Sequence, residues 1–235
     1  MSEFLLIHGS CHGAWCWRDV IPALTTHGHS VRAIDLPGHG DDTTPAAEIT
    51  LDACRDAICA AATPETILVG HSWGGIPIGV AAEAAPVKAL IFLCAYVPQN
   101  GLSMSDLRKA APRQPILSAV VKGEDGLTYT VDAEKGADLF YGDCPEEARA
   151  YALPRLCPQA IAPQVTPATL GDRYAATPKR YIRCANDQTI PPEYQLTMTA
   201  DWPAEHVHHM QTGHSPFFAA PQALADLLHA LAQEV

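Results

Sequence analysis

Thr66-Ile67-Leu68-Val69-Gly70-His71-Ser72-Trp73-Gly74-Gly75 is the stretch that decides the fold. Residues 66–70 are an apolar run closed by glycine and read as a buried strand. Residues 73–84, rich in Ala and Gly, read as a helix. Between them lies G-x-S-x-G, a strand-to-helix reversal made within a few residues. Such a turn leaves Ser72 strained, with its hydroxyl at the carboxyl edge of a sheet. Glycines at 70 and 74 let backbone pack closely there. The helix N-terminus adds amide donors and a dipole that favours developing negative charge.

Outward from this turn the pattern repeats. Residues 4–7 form a strand ended by Gly9. Residues 15–26 read as a helix with Trp15, Trp17, Val20, Ile21 and Leu24 on one face, stopped by Gly28. Residues 31–34 are a second strand, followed by the turn Pro37-Gly38-His39-Gly40. Thr50 is placed to N-cap a helix whose inward face carries Leu51, Cys54 and Ile58. Residues 89–93 are a fourth strand. Alternating strands and helices predict an α/β fold with a mostly parallel, doubly wound sheet. The alternation breaks over residues 99–178, which hold many prolines, a short β-like piece at 127–131 and helical fragments. It resumes with a strand at 180–184, a helix from Pro191, a strand near 206–210 and a C-terminal helix. The chain therefore divides into a core, 1–98 and 179–235, and an inserted, mainly helical cap, 99–178.

With 235 residues, 48% hydrophobic and 17% charged, the chain is long enough to bury a core and too apolar for disorder. A net charge of −11 without a basic run argues against nucleic acid and membrane partners. Met1-Ser2-Glu3-Phe4 leads straight into a strand-like run, so no signal peptide is expected. No apolar stretch is long enough for a transmembrane helix. A cytoplasmic location with reduced thiols is expected. The eight cysteines contain no C-x-x-C spacing, so no metal site is expected.

A serine hydroxyl needs a base to take its proton. On this scaffold the order is Ser, then an acid, then His. Asp187 lies just beyond the strand at 180–184, and His214 lies just before the last helix. His206, His208 and His209 alternate within a strand-like piece and read as solvated. Asp172 and Asp201 follow no strong strand. Ser72 is thus the candidate nucleophile, His214 the general base and then acid, and Asp187 the acceptor that fixes the His214 tautomer. The backbone N–H groups of Trp73 and Ser10 are the candidate oxyanion hole. Gly9 and Cys11, on the same loop as Ser10, are candidate substrate-binding residues. Tyr96, Leu102, Met104, Phe140, Leu156 and Phe217 are candidate pocket walls, with ordinary core as the alternative.

His8-Gly9-Ser10-Cys11-His12-Gly13-Ala14-Trp15-Cys16-Trp17 resembles the H-G-x-C-H-G-A-W-x-W segment of an α/β-hydrolase subgroup. That subgroup contains plant methylesterases, salicylate-binding methylesterase among them, and α-hydroxynitrile lyases. The likeness continues through Asp35-Leu36-Pro37-Gly38-His39-Gly40, Gly70 to Gly75, Asp187, Ile190-Pro191-Pro192-Glu193-Tyr194-Gln195 and Gly213-His214. It covers most of the core and only loosely the cap. The resemblance implies the α/β-hydrolase fold, no cofactor, and the roles given above for Ser72, Asp187, His214, Ser10 and Trp73. Lyases of this group carry Thr or Asn where this chain has Gly9. Many also carry Lys where it has Ser215. These departures favour the esterase branch. Trp73 replaces a smaller residue and predicts a narrower pocket.

The expected activity is hydrolysis of small carboxylic esters, with methyl esters of aromatic or cyclic acids one candidate class. Cyanohydrin cleavage, with the same residues as a proton relay, is the alternative. A non-catalytic small-molecule receptor on the same scaffold is the third reading. A small-molecule ester is the expected partner, and a homodimer is left open.

Overall fold

The computed structural model describes residues 1–235. Its main sheet has six strands in the order β2 (Ser30–Ile34), β1 (Glu3–Ile7), β3 (Thr66–His71), β4 (Ala89–Leu93), β8 (Lys179–Cys184) and β9 (Val207–Met210). Every neighbouring pair in it is parallel. Residues 99–178 carry a separate sheet of β5 (Val120–Lys122), β6 (Thr128–Val131) and β7 (Gln159–Ala160), paired antiparallel. The strand read at 127–131 is its central strand.

Side chains alternate across a strand, and β1 shows the consequence. Phe4 and Leu6 join one apolar core, and Leu5 and Ile7 join another on the opposite face. Helices α1 (Val20–Thr26) and α11 (Pro221–Ala232) cover the first face through Val20, Leu24, Leu224 and Leu228. Helices α2 (Leu51–Ala61) and α3 (Gly75–Ala84) cover the second through Leu51, Cys54, Ile58, Ile76 and Ile78. Thr50 caps α2 as expected, accepting from Ala53 N–H at 3.0 Å. The other helices are α4 (Met104–Ala110), α5 (Ala133–Tyr141), α6 (Glu146–Ala152), α7 (Ala162–Val165), α8 (Asp172–Ala176), α9 (Pro192–Met198) and α10 (Pro216–Ala219).

The helix expected over 15–26 is two pieces. Residues 14–17 form a 3₁₀ turn, and α1 begins only at Val20. Asp35 anchors the start of the turn: its Oδ1 accepts from Ala14 N–H at 2.6 Å and tethers it to the loop after β2. Trp17 is still fully buried, while Trp15 is half-buried. No helix is long and apolar enough to cross a membrane. All eight cysteines are unpaired.

Strand order reverses around β1, which has β2 on one side and β3 on the other. Loops leaving adjacent strands at such a point diverge and open a crevice at the carboxyl edge. The β1–β3 register, Ile7 opposite Gly70, brings the loop carrying Gly9 and Ser10 beside Ser72.

Candidate active site

Ser72 sits directly after β3 with φ of 54°. A non-glycine residue in this left-handed region is held there by its surroundings. Those surroundings are backbone in close approach: a Cβ on Gly70 would lie 2.6 Å from the Gly74 carbonyl oxygen, and one on Gly74 2.6 Å from that of His8. The G-x-S-x-G spacing is therefore a steric requirement of the turn. Ser72 opens a 3₁₀ turn that runs into α3. Trp73 is its second residue, where N–H groups have no partner within the helix. The Ser10 N–H donates to no protein group either.

Asp187 and His214 are both buried and joined, Nδ1 of His214 donating to Oδ2 of Asp187 at 2.9 Å. The carboxylate accepts three more bonds. Thr189 and Ile190 N–H donate to Oδ1 at 2.7 and 2.9 Å, and Gln195 Nε2 donates to Oδ2 at 2.9 Å. A buried carboxylate so surrounded is held in one orientation and keeps its partners satisfied. Gln195 also accepts from Cys184 N–H at 3.0 Å, locking the loop to the end of β8. The sequence displayed Gln195 only as part of a matching segment; its spacing, one helical turn past Ile190-Pro191, was the available signal.

His71 ties His214 to the turn at Ser72. Its Nε2 donates to the His214 carbonyl at 2.8 Å, and the two rings lie 4.7 Å apart. Burial, reinforced by the nearby His214, holds its pKa well below the usual imidazole value, so the ring is neutral. Phe140 stacks on the His214 ring at 5.8 Å. The structure shows no hydrogen bond from Ser72 Oγ to His214.

A cavity of about 950 Å³, its open mouth included, is lined by Ser72, Ser10, Tyr96, Met104 and Phe140, with further side chains from residues 99–178. Tyr96, Met104 and Phe140 are thus walls, as expected; Leu102, Leu156 and Phe217 do not line it. Three further expectations are corrected. Cys11 is completely buried and absent from the cavity wall, because its left-handed φ of 61° and its N–H bond to Gln159 Oε1 turn it inward. Burial raises its thiol far above the usual value, so it is not a reactive group. Trp73 does not narrow the cavity: its side chain is fully buried, 5.9 Å from the His39 ring. Gly9 is not a wall either, but packs behind Ser72.

Two glutamines from residues 99–178 grip the Ser10 loop. Gln159 Oε1 accepts from Cys11 N–H at 3.2 Å, and Gln164 Nε2 donates to Ser10 Oγ at 2.7 Å. Tyr129 OH in turn donates to Gln164 Oε1 at 3.0 Å. His12 completes the grip, donating from Nδ1 to the Ser10 carbonyl and accepting from Tyr141 OH, both at 2.7 Å. Sequence reading missed both glutamines, since nothing local marks contacts made across about 150 residues.

Residues 4–227 match the model of the alpha/beta hydrolase family. Methylesterase 1 of Arabidopsis thaliana is 31% identical, the alignment covering 96% of this chain and 94% of the relative. Methylesterase 7 of the same plant is 32% identical, with 99% and 97% covered. Among solved structures, a pyrethroid hydrolase from Sphingobium faniae JZ-2 superposes with a TM-score of 0.85 at 26% identity, over 99% of this chain and 97% of that one. Tomato methylketone synthase I shares the fold, with a TM-score of 0.86 at 24% identity over 99% and 98%. The chain belongs to the α/β hydrolase family.

Proposed function

We propose that this α/β hydrolase cleaves small carboxylic esters through an acyl-Ser72 intermediate, with His214 and Asp187 completing the triad. Ester hydrolysis as the reaction class rests on the methylesterase relatives. The observation that carries the finer reading is Ser72, strained at a strand-to-helix turn and facing the cavity, with the His71 ring linking it to the Asp187–His214 pair.

Ser72 Oγ attacks the ester carbonyl carbon as His214 Nε2 takes its proton. The N–H groups of Ser10 and Trp73 stabilise the oxyanion. The C–O bond to the alcohol breaks, and His214 returns the proton to the departing oxygen. Water then attacks the acyl carbon, giving its proton to His214, and the acid leaves as Ser72 is restored. Asp187 holds Nδ1–H in place, so Nε2 is the free, basic nitrogen. The missing Ser72–His214 bond fits this scheme, since such bonds often tighten only around substrate. Residues 99–178 act as the cap that shapes the cavity, and Ser215, where many lyases of the group carry a lysine, supports the esterase over the lyase reading.

The test is turnover of p-nitrophenyl acetate by Ser72→Ala, with the fold followed by circular dichroism. Loss of nearly all turnover in a folded variant is expected. Undiminished turnover would overturn the proposal.

A further inference from the structure

Within that esterase reading, we infer that the preferred substrates are esters bearing a second, free carboxylate, which Arg108 holds. The cavity wall is mostly apolar, and the only charged residues in it are Arg108 and Lys122, both cationic. No Asp or Glu faces it. This is unusual in a chain with 26 acidic and 15 basic residues. Arg18, Arg32, Arg55, Arg113, Arg149 and Arg180 each pair with a carboxylate elsewhere in the molecule; Arg155, Arg173 and Arg183 do not, but none of these lines the cavity.

Arg108 pairs with none. Its guanidinium donates only to neutral oxygens, Gln114 Oε1 at 3.2 Å and Ser105 Oγ at 3.3 Å. A guanidinium carries five N–H donors in a planar fork, so donors remain for a ligand. It is half-buried against an apolar wall, where a charged hydrogen bond is stronger than in water. Position is fixed as well. Ser103 and Asp106 form a capping box that anchors α4. Met104 and Arg108, one turn apart, then project from the same face into the cavity. Lys122 is exposed on a strand and forms no ion pair, so it adds attraction near the mouth.

The chemistry is that of a half-ester of a dicarboxylic acid. The ester carbonyl meets Ser72, an aliphatic spacer lies along the apolar wall, and the carboxylate takes the Arg108 fork. Hydrolysis of such a half-ester by one water yields the dicarboxylate and the alcohol. A planar carboxylate suits a single guanidinium through paired N–H···O bonds.

The experiment compares monomethyl esters of straight-chain dicarboxylic acids, succinate to suberate, with their dimethyl esters. At one spacer length the wild type should favour the half-ester by about tenfold or more in kcat/KM, the scale of a hydrogen bond to a charged group. Arg108→Met should abolish that ratio, chiefly by raising KM for the half-ester, and Arg108→Lys should retain part of it. No preference at any length, or an equal loss on both esters in Arg108→Met, would overturn the inference while leaving the esterase reading intact. If neither ester nor p-nitrophenyl acetate is cleaved, that reading fails instead. Calorimetric binding of the free dicarboxylates then decides: binding lost in folded Arg108→Met supports the carboxylate site, and no binding to wild type overturns it.

Discussion

Gln164 Nε2 donates to Ser10 Oγ at 2.7 Å, joining a residue 154 positions away to the loop that carries a proposed oxyanion donor. Gln164 is buried, and its other oxygen contact, to Tyr129 OH, fixes which way the amide points. Replacing it leaves Ser10 Oγ without that donor and frees the loop. For Gln164→Leu we expect kcat for p-nitrophenyl acetate to fall about tenfold, the scale of one positioned hydrogen bond. A change in KM alone would show that Gln164 merely lines the cavity.

Gly9 lies against Ser72. A Cβ there would stand 2.8 Å from both Ser72 Cβ and His71 Nδ1. Neither neighbour is the end of a flexible chain, so the elbow must shift. Gly9→Ala should lower stability by about 1–3 kcal/mol, as overpacking does, and reduce kcat more than it changes KM. Urea unfolding and steady-state kinetics on the same preparation check both. Wild-type kinetics in this variant would show that the loop and elbow are not coupled.

Asp187→Asn keeps an acceptor for the Thr189 and Ile190 N–H groups but presents an amide where Oδ2 now accepts from His214 and Gln195. The imidazole then loses the acceptor that fixes Nδ1–H. Turnover should drop roughly a thousandfold or more with the fold intact, as expected for a wrong tautomer. Retention of even a tenth of the activity would remove Asp187 from the mechanism.

The site is also expected to be acid-labile. Burial holds His12 at a pKa of about 4, against an ordinary 6.5. His8, His39 and His71 are lowered too, burial being the main cause in each. The unfolded rings take up protons near 6.5 and the folded rings do not, so the unfolded state binds more protons below that pH. Stability is therefore full above about 6.5 and declines towards pH 4, by roughly 3 kcal/mol for His12 alone. Urea midpoints measured at pH 7.5 and at pH 5 should show the decline, and equal midpoints would refute it.

The doubly wound sheet was legible in the sequence because its strands are short apolar runs and α2 carries Thr50, Leu51, Cys54 and Ile58 in helical register. The turn at Ser72 was legible because its sharpness demands the flanking glycines of G-x-S-x-G. Asp187 and His214 followed from their places after β8 and before the last helices. These are local signals, written within a few residues of the groups concerned. The fate of Cys11 and Trp73 was not written locally: a left-handed torsion turned Cys11 inward and packing buried Trp73, although their positions beside Ser10 and Ser72 made them look like pocket residues. Nor could sequence show that Gln159 and Gln164 hold the Ser10 loop, or that Arg108 faces the cavity without a carboxylate partner. Those relations join segments far apart in the chain, and only the packed fold decides which of many polar side chains meet.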